Sequence, residues 1–95
     1  MTTVERLILL KADLQLMTGA FDTYLAQLLQ AAEEFIKREG IELSESVEDE
    51  QLRVMYAAYL YRKRADPAAV MPRMLRWALN NRLFGQKGAA DDAAG

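Results

Sequence analysis

The spacing of apolar residues between Phe21 and Ile36 is the feature that most constrains the fold. Apolar side chains recur there every three or four residues, at Phe21, Leu25, Leu28, Leu29, Ala32, Phe35 and Ile36. This spacing places them on one face of an α-helix, whereas a half-buried strand would need strict alternation. The sequence therefore predicts an amphipathic helix over about 20–39. Gly40 follows it, where a left-handed C-terminal cap favours glycine.

Capping signals and prolines delimit three further helices. Thr2 and Glu5 form a capping-box pattern that opens a helix over about 3–15. Ser46 is a favourable N-cap for a helix over about 47–65. Pro72 suits the first turn of a final helix. No segment shows the alternation of a strand and no internal repeat is present, so we predict an all-α protein, a compact bundle of about four helices (about 3–15, 20–39, 47–65, 70–84).

Residues 86–95 differ in composition from the rest of the chain. They contain no apolar residue larger than alanine. Ordering a residue costs roughly 1.5 kcal/mol, and this segment has little to bury in return. We therefore expect a single helical domain over 1–85 and a flexible C-terminal tail over 86–95, disordered until a partner orders it.

Composition excludes several kinds of chemistry. The 95 residues contain no cysteine and no histidine, so thiol nucleophiles, disulfides and the commonest general base are absent. The acidic run at Glu48, Asp49 and Glu50 lacks the spacing of a calcium loop. The longest apolar run, Val54–Tyr61, is far shorter than the roughly 20 residues of a membrane span. We predict no enzyme activity, no catalytic, metal or cofactor site, no small-molecule substrate and no membrane association.

Charge is distributed unevenly along the chain. Residues 1–51 hold four basic and eleven acidic residues, a net charge of −7. Residues 52–87 hold eight basic residues and one acidic residue, a net charge of +7. Such halves indicate either a basic side that faces nucleic acid or surfaces that pair with complementary surfaces on neighbouring copies.

The third and fourth predicted helices carry a second apolar stripe. In helix three it runs along Val54, Ala57, Ala58 and Tyr61, opposite the expected core face. In helix four it contains Val70, Trp77 and Phe84. A surface helix needs only one such stripe. The second stripe either fills the core of a tight bundle or meets a partner. We favour the partner, and the candidate protein-interface residues are Val54, Tyr61, Trp77, Phe84, Arg73 and Arg76.

The charged clusters have three possible roles. A basic last turn satisfies the helix dipole, but it also suits phosphate contacts or ion pairs with the acidic segment 42–50 of a neighbouring subunit. The sequence does not rank the last two. The candidates for DNA-channel or inter-subunit charge are Arg62, Lys63, Arg64, Arg82, Glu48, Asp49 and Glu50.

Several of these segments together resemble a known family. They are Leu14-Gln15-Leu16, then Asp22 to Ile36, then Val54 to Arg64, and finally Met71-Pro72-Arg73-Met74-Leu75. The pattern is similar to the phage head–tail connector proteins, in which an Asp…Leu…Leu helix, an apolar third helix closed by an aromatic residue and an arginine, and a proline-led last helix follow one another. The linker 17–21 lacks the acidic run often found in that family, and the final loop lacks its glycine.

The resemblance implies a structural virion protein. Such adaptors, assembled in the bacterial host cytoplasm, form a ring on the portal protein, with twelve-fold symmetry expected from the portal. They extend the channel for double-stranded DNA without reading its sequence and join the capsid to the next neck or tail protein. The alternative is a small helical DNA-binding regulatory protein that uses the basic C-terminal half.

Overall fold

Four helices form the part of the chain that the structure describes, as predicted from the sequence. The computed structural model describes the backbone of residues 1–94 and the side chains of residues 1–87. The helices are α1 (Thr3–Leu14), α2 (Asp22–Arg38), α3 (Val47–Ala65) and α4 (Arg73–Ala94). Within this described part of the chain there is no strand. The prediction of an all-α fold is confirmed.

The predicted helix caps are present. The Thr2 hydroxyl accepts a hydrogen bond from the Glu5 backbone N–H, and the Glu5 carboxylate accepts one from the Thr2 N–H, which completes the capping box. The Ser46 hydroxyl accepts a bond from the Asp49 N–H. Gly40 follows α2 with a φ of +95°, a conformation that residues with a Cβ rarely adopt. These local signals explain why the first three helices begin and end close to the predicted residues.

Helix α3 is the centre of the bundle, and the other three helices pack around it. Arg6 reaches Glu50 and Asp13 reaches Arg62, so α1 runs parallel to α3. The short connections of α2 and α4 to α3 make both antiparallel to it. The buried apolar core draws on all four helices and the 39–46 loop and consists of Leu10, Leu25, Leu29, Ala32, Ile36, Ile41, Leu52, Val54, Tyr56, Ala57, Ala58, Leu75 and Leu79.

Helices α1 and α4 lie on different sides of α3. Arg6 of α1 pairs with Glu50, whereas Arg82 of α4 pairs with the preceding residue, Asp49. Adjacent helical residues project about 100° apart, so the two flanking helices approach α3 from separate directions. Each therefore has an outer side that faces away from the bundle.

The bounds of α4 differ most from the prediction. The helix begins at Arg73 rather than near residue 70, and it continues past Gly85, where the sequence predicts its end. The helix continues because the Gln86 side chain is hydrogen-bonded to the backbone of residues 40–42, which attaches this turn of α4 to the bundle. Most of the predicted flexible tail, residues 88–95, lies outside the residues whose side chains are described.

Candidate protein interface

An apolar stripe runs along the outer side of α4. Met74, Trp77 and Phe84 share one face of the helix with the polar residue Asn81, at three- and four-residue spacing; we call these four residues the α4 stripe. Met74 is 72% exposed, Trp77 65% and Phe84 68%. Val70, just before the helix, is also exposed. Tryptophan and phenylalanine are the residues that anchor protein interfaces, and an exposed row of them indicates an interaction surface.

The second stripe of α3 is buried inside the chain. Val54 is only 5% exposed, and Ala57 and Ala58 are fully buried. Tyr61 is half-buried and packs against the same core. The expectation that Val54 forms part of an intermolecular interface is therefore wrong, because α3 is enclosed by three helices and uses both of its apolar sides. Each of the two explanations for the second stripe therefore applies to one helix. The stripe is part of the core in α3 and is exposed in α4.

A polar cluster fastens α4 to the loop that precedes α3. Arg82 donates to the Asp49 carboxylate from Nε (2.7 Å) and Nη2 (3.1 Å), and Nη2 also donates to the Glu42 carbonyl (2.7 Å). The Gln86 side-chain amide donates to the Gly40 carbonyl (2.8 Å) and accepts from the Glu42 N–H (2.7 Å). We call Asp49, Arg82 and Gln86 with their loop partners the polar clasp. It orients the core-facing side of α4 inward, so that the α4 stripe points outward.

A second charged cluster joins α1, α2 and α3. Arg6 donates to Glu50 from Nε (2.7 Å) and Nη2 (2.9 Å). Arg53 donates to Glu50 (2.9 Å), to Glu33 (2.7 Å) and to the Ser44 carbonyl (2.8 Å). Glu50 and Arg53 are both buried. Sequence reasoning missed Arg6, Glu33 and Arg53. The available signal is that Arg53 lies between Leu52 and Val54 on a helix that is apolar on two sides.

The two buried carboxylates of α3 remain ionised more readily than free ones. Burial alone would raise the pKa of Asp49, but hydrogen bonds from Arg82 and from the Ser44 N–H and hydroxyl offset it, and the pKa lies below its ordinary value. Hydrogen bonds from Arg6 and the nearby charge of Arg53 lower the pKa of Glu50 against the effect of burial. The same pairs raise the pKa of Arg6 and Arg82. Arg6 and Glu50, and likewise Arg82 and Asp49, are therefore charged and form ion pairs within one chain.

Three of the residues predicted to carry inter-subunit or channel charge therefore form ion pairs within the molecule instead. Asp49 and Glu50 are buried, and Arg82 is bonded to Asp49. Their assignment as charges that face a neighbouring subunit or DNA is corrected, because the acidic segment 42–50 and α4 meet within one copy. Glu48 is exposed and lies beside Asn81 and Gln86 along an open polar groove.

The two arginines beside Trp77 have different environments. The Arg76 guanidinium donates to both oxygens of the Glu39 carboxylate, from Nη1 (2.6 Å) and Nη2 (3.2 Å). Arg73 is exposed, one turn before Trp77, and has no ion-pair partner among the described side chains. Arg73 therefore keeps its full charge available at the α4 stripe, whereas most of the charge of Arg76 is already neutralised.

The basic end of α3 remains exposed. Arg62 forms a solvent-exposed pair with Asp13 at 3.3 Å. The Lys63 ammonium lies 5.6 Å from the Tyr59 ring centre and donates to its hydroxyl. The Arg64 guanidinium lies 4.7 Å above the Tyr24 ring. Cation–π contacts of this kind orient the side chains without neutralising them, so Lys63 and Arg64 remain available to an anionic partner.

Comparison with known proteins identifies no relative. No protein-family model, no curated protein and no solved structure matches this chain. Within the part of the chain that the structure describes, no helix is long and apolar enough to cross a membrane. Among the same residues, no group of three or more acidic side chains is arranged to hold a metal ion.

Proposed function

We propose that this protein is a structural adaptor of the phage head–tail junction rather than an enzyme. It oligomerises as a ring on the portal protein, extends the DNA channel and joins the capsid to the next neck or tail protein. It acts in the virion, and its partners are other copies of itself, the portal and a neck protein. The α4 stripe is the observation that carries this proposal, and the sequence resemblance to connector proteins gives it its context.

The α4 stripe supports self-assembly because the isolated chain leaves it uncovered. An aromatic side chain buries on the order of 150–250 Å². Trp77 and Phe84, each about two-thirds exposed, therefore leave most of that area in water. Exposed apolar patches of roughly 300–600 Å² are often functional on soluble proteins. A structural adaptor uses such a surface permanently, which offsets the cost of exposing it in the free chain.

Ion pairs formed within the chain count against a DNA-binding regulator as the main function, Arg76–Glu39 more than the solvent-exposed Arg62–Asp13 pair. Of the basic residues expected to contact phosphates, Arg62 and Arg76 are paired with Asp13 and Glu39. Lys63, Arg64 and Arg73 remain, which is a small set for sequence-specific binding. These three charges suit the non-specific contacts that a channel wall makes with passing DNA.

Sedimentation velocity over a range of protein concentrations tests the self-assembly. We expect a discrete oligomer that grows at the expense of the monomer, and we expect the protein to remain bound to portal-bearing capsids during gradient purification. A protein that stays monomeric and never sediments with such particles would contradict the proposal.

A titration of duplex DNA at several salt concentrations tests the alternative. Log affinity falls by about 0.9 for each tenfold rise in salt and each phosphate neutralised. A regulator that used all five basic candidates would show a slope near −4.5 and a sequence preference. An adaptor would show weak binding, a shallow slope and no preference.

A further inference from the structure

A second exposed apolar stripe lies on α1, which approaches α3 from a different direction than α4. Val4 and Ile8 are 65% and 62% exposed, and Ala12 continues the row one turn later. We call Val4, Ile8 and Ala12 the α1 stripe; Met1 extends it and Leu9 lies at its edge, both partly exposed. Because α1 and α4 approach α3 from different directions, each copy presents two separate apolar surfaces.

Resting on the proposed function, we infer that the α4 stripe of one copy docks on the α1 stripe of the next copy. This is a heterologous contact, in which two different surfaces of the same chain meet. Repetition of such a contact gives a closed ring when the rotation between copies closes, and a filament when it does not. One pairing thus covers both exposed stripes of every copy in a closed ring.

The charges beside the two stripes favour this pairing over the symmetric ones. Arg73 and Lys87 flank the α4 stripe, and neither has an ion-pair partner among the described residues. Glu5 flanks the α1 stripe on the exposed side of the first turn, and Lys11 flanks its other edge, where it pairs with Asp22 at 3.0 Å. Between residues 73 and 87, α4 contains no acidic residue, and the exposed carboxylate of Glu48 in α3 lies beside Asn81.

The symmetric pairing of two α4 stripes places like charges together, and the symmetric pairing of two α1 stripes leaves every α4 stripe uncovered. Two α4 stripes packed antiparallel would bring Arg73 of one copy towards Lys87 of the other. Two α1 stripes packed parallel would bring the Glu5 carboxylates together, and packed antiparallel they would place Glu5 opposite Lys11, which is already bonded to Asp22. Like charges across an interface suppress association, whereas opposite charges favour it. Apolar burial alone does not choose between the arrangements, because it is non-directional. The heterologous contact is the one that covers both stripes and brings Arg73 and Lys87 towards Glu5.

Cross-linking between introduced cysteines tests the pairing directly, because the chain has no cysteine of its own. Ala12→Cys lies within the α1 stripe and Asn81→Cys within the α4 stripe; both positions are exposed. The two single variants carry tags of different mass, are mixed at a concentration where the protein is oligomeric, and are treated with a short bismaleimide. Gln30→Cys, exposed on α2 and outside both stripes, is the matched control.

We expect the mixed 12–81 product to exceed each symmetric product by about tenfold, which corresponds to about 1.4 kcal/mol in favour of the heterologous contact. The Gln30→Cys variant should give little product with either partner. A dominant 81–81 or 12–12 product, or an oligomer that gives no 12–81 product, would overturn the inference and leave the adaptor proposal intact. Absence of any oligomer in sedimentation would instead refute self-assembly, and the pairing with it.

Discussion

Arg82 and Asp49, 33 residues apart in the chain, form a two-point ion pair whose acidic partner is completely buried. The pair connects the outermost helix of the bundle to the first turn of its central helix. Removing one partner of a buried pair leaves an uncompensated charge, which costs about 3–5 kcal/mol. The attachment of α4 therefore depends on this contact as well as on Leu75 and Leu79.

We expect Arg82→Met to lower the free energy of unfolding by about 3 kcal/mol, because the Asp49 carboxylate stays buried without its guanidinium. Urea denaturation followed by circular dichroism measures the effect. Arg73→Met, on the same helix but exposed, should change stability by less than about 0.5 kcal/mol. The double variant Asp49→Asn/Arg82→Met should lose less than the sum of the single variants, and simple additivity would show that the two residues are not coupled.

Stability should fall as the solution becomes acidic. Asp49 and Glu50 have folded-state pKa values below their ordinary values of 3.8 and 4.5. The unfolded chain therefore takes up protons first as the pH drops, which favours unfolding. The stabilisation is fully present above about pH 5.5 and is lost progressively below it, through the lowered folded-state values.

Urea titrations at pH 7, 5, 4 and 3 measure this dependence. The variant Asp49→Asn/Glu50→Gln should be less stable than the natural chain at pH 7, and its stability should depend less on pH. An equal loss of stability on acidification in both proteins would assign the effect to other carboxylates.

Val54 and Trp77 should respond in opposite ways to truncation. Val54→Ala removes buried methyl groups and should cost about 2 kcal/mol of folding stability while leaving assembly of the folded protein unchanged. Trp77→Ala should change folding stability by less than about 1 kcal/mol, since most of the side chain is in water, yet weaken self-association at least about tenfold. Urea denaturation and sedimentation velocity on both variants separate the effects. Equal loss of folding and assembly in Trp77→Ala would place Trp77 in the core.

Gly40 and Gly85 form a matched pair for alanine substitution. Gly40 has a left-handed backbone, so Gly40→Ala should lose about 1 kcal/mol of folding stability. Gly85 is helical, and a Cβ there would meet no atom within 4 Å. Gly85→Ala should gain about 0.5–1 kcal/mol through better helix propensity. Thermal unfolding of both variants tests the prediction, which fails if the two changes shift the midpoint in the same direction.

Sequence reasoning located the helices because their limits are set locally. Thr2, Ser46 and Gly40 act on backbone groups within a few residues, so their effect can be recognised without knowing the fold. The predicted end of α4 at Gly85 was wrong because the observed end depends on a contact that is distant in the sequence. Its continuation past that glycine involves Gln86, which is held by the backbone of a loop more than forty residues earlier.

The candidate site was only partly predictable. The helical pattern correctly predicted that Trp77 and Phe84 lie outside the core, but it placed Val54 outside the core as well. The difference arises from the number of helices that surround α3, which no local pattern contains. The partners of Asp49 and Arg82 were missed for the same reason, although Asp49 lies three residues before the buried Leu52 and so shares its inward face.

The outer helix is anchored at three levels along its length: Arg76 to Glu39, Arg82 to Asp49, and Gln86 to the 40–42 backbone. Arg82 and Gln86 project from the side opposite Trp77, and Arg76 projects about 100° from it, so together the three anchors fix the rotation of the helix about its own axis. A protein that binds this face therefore contacts Trp77 and Phe84 in an orientation that is already fixed. The entropic cost of that preorganisation is met during folding, and little of the binding energy is lost to it.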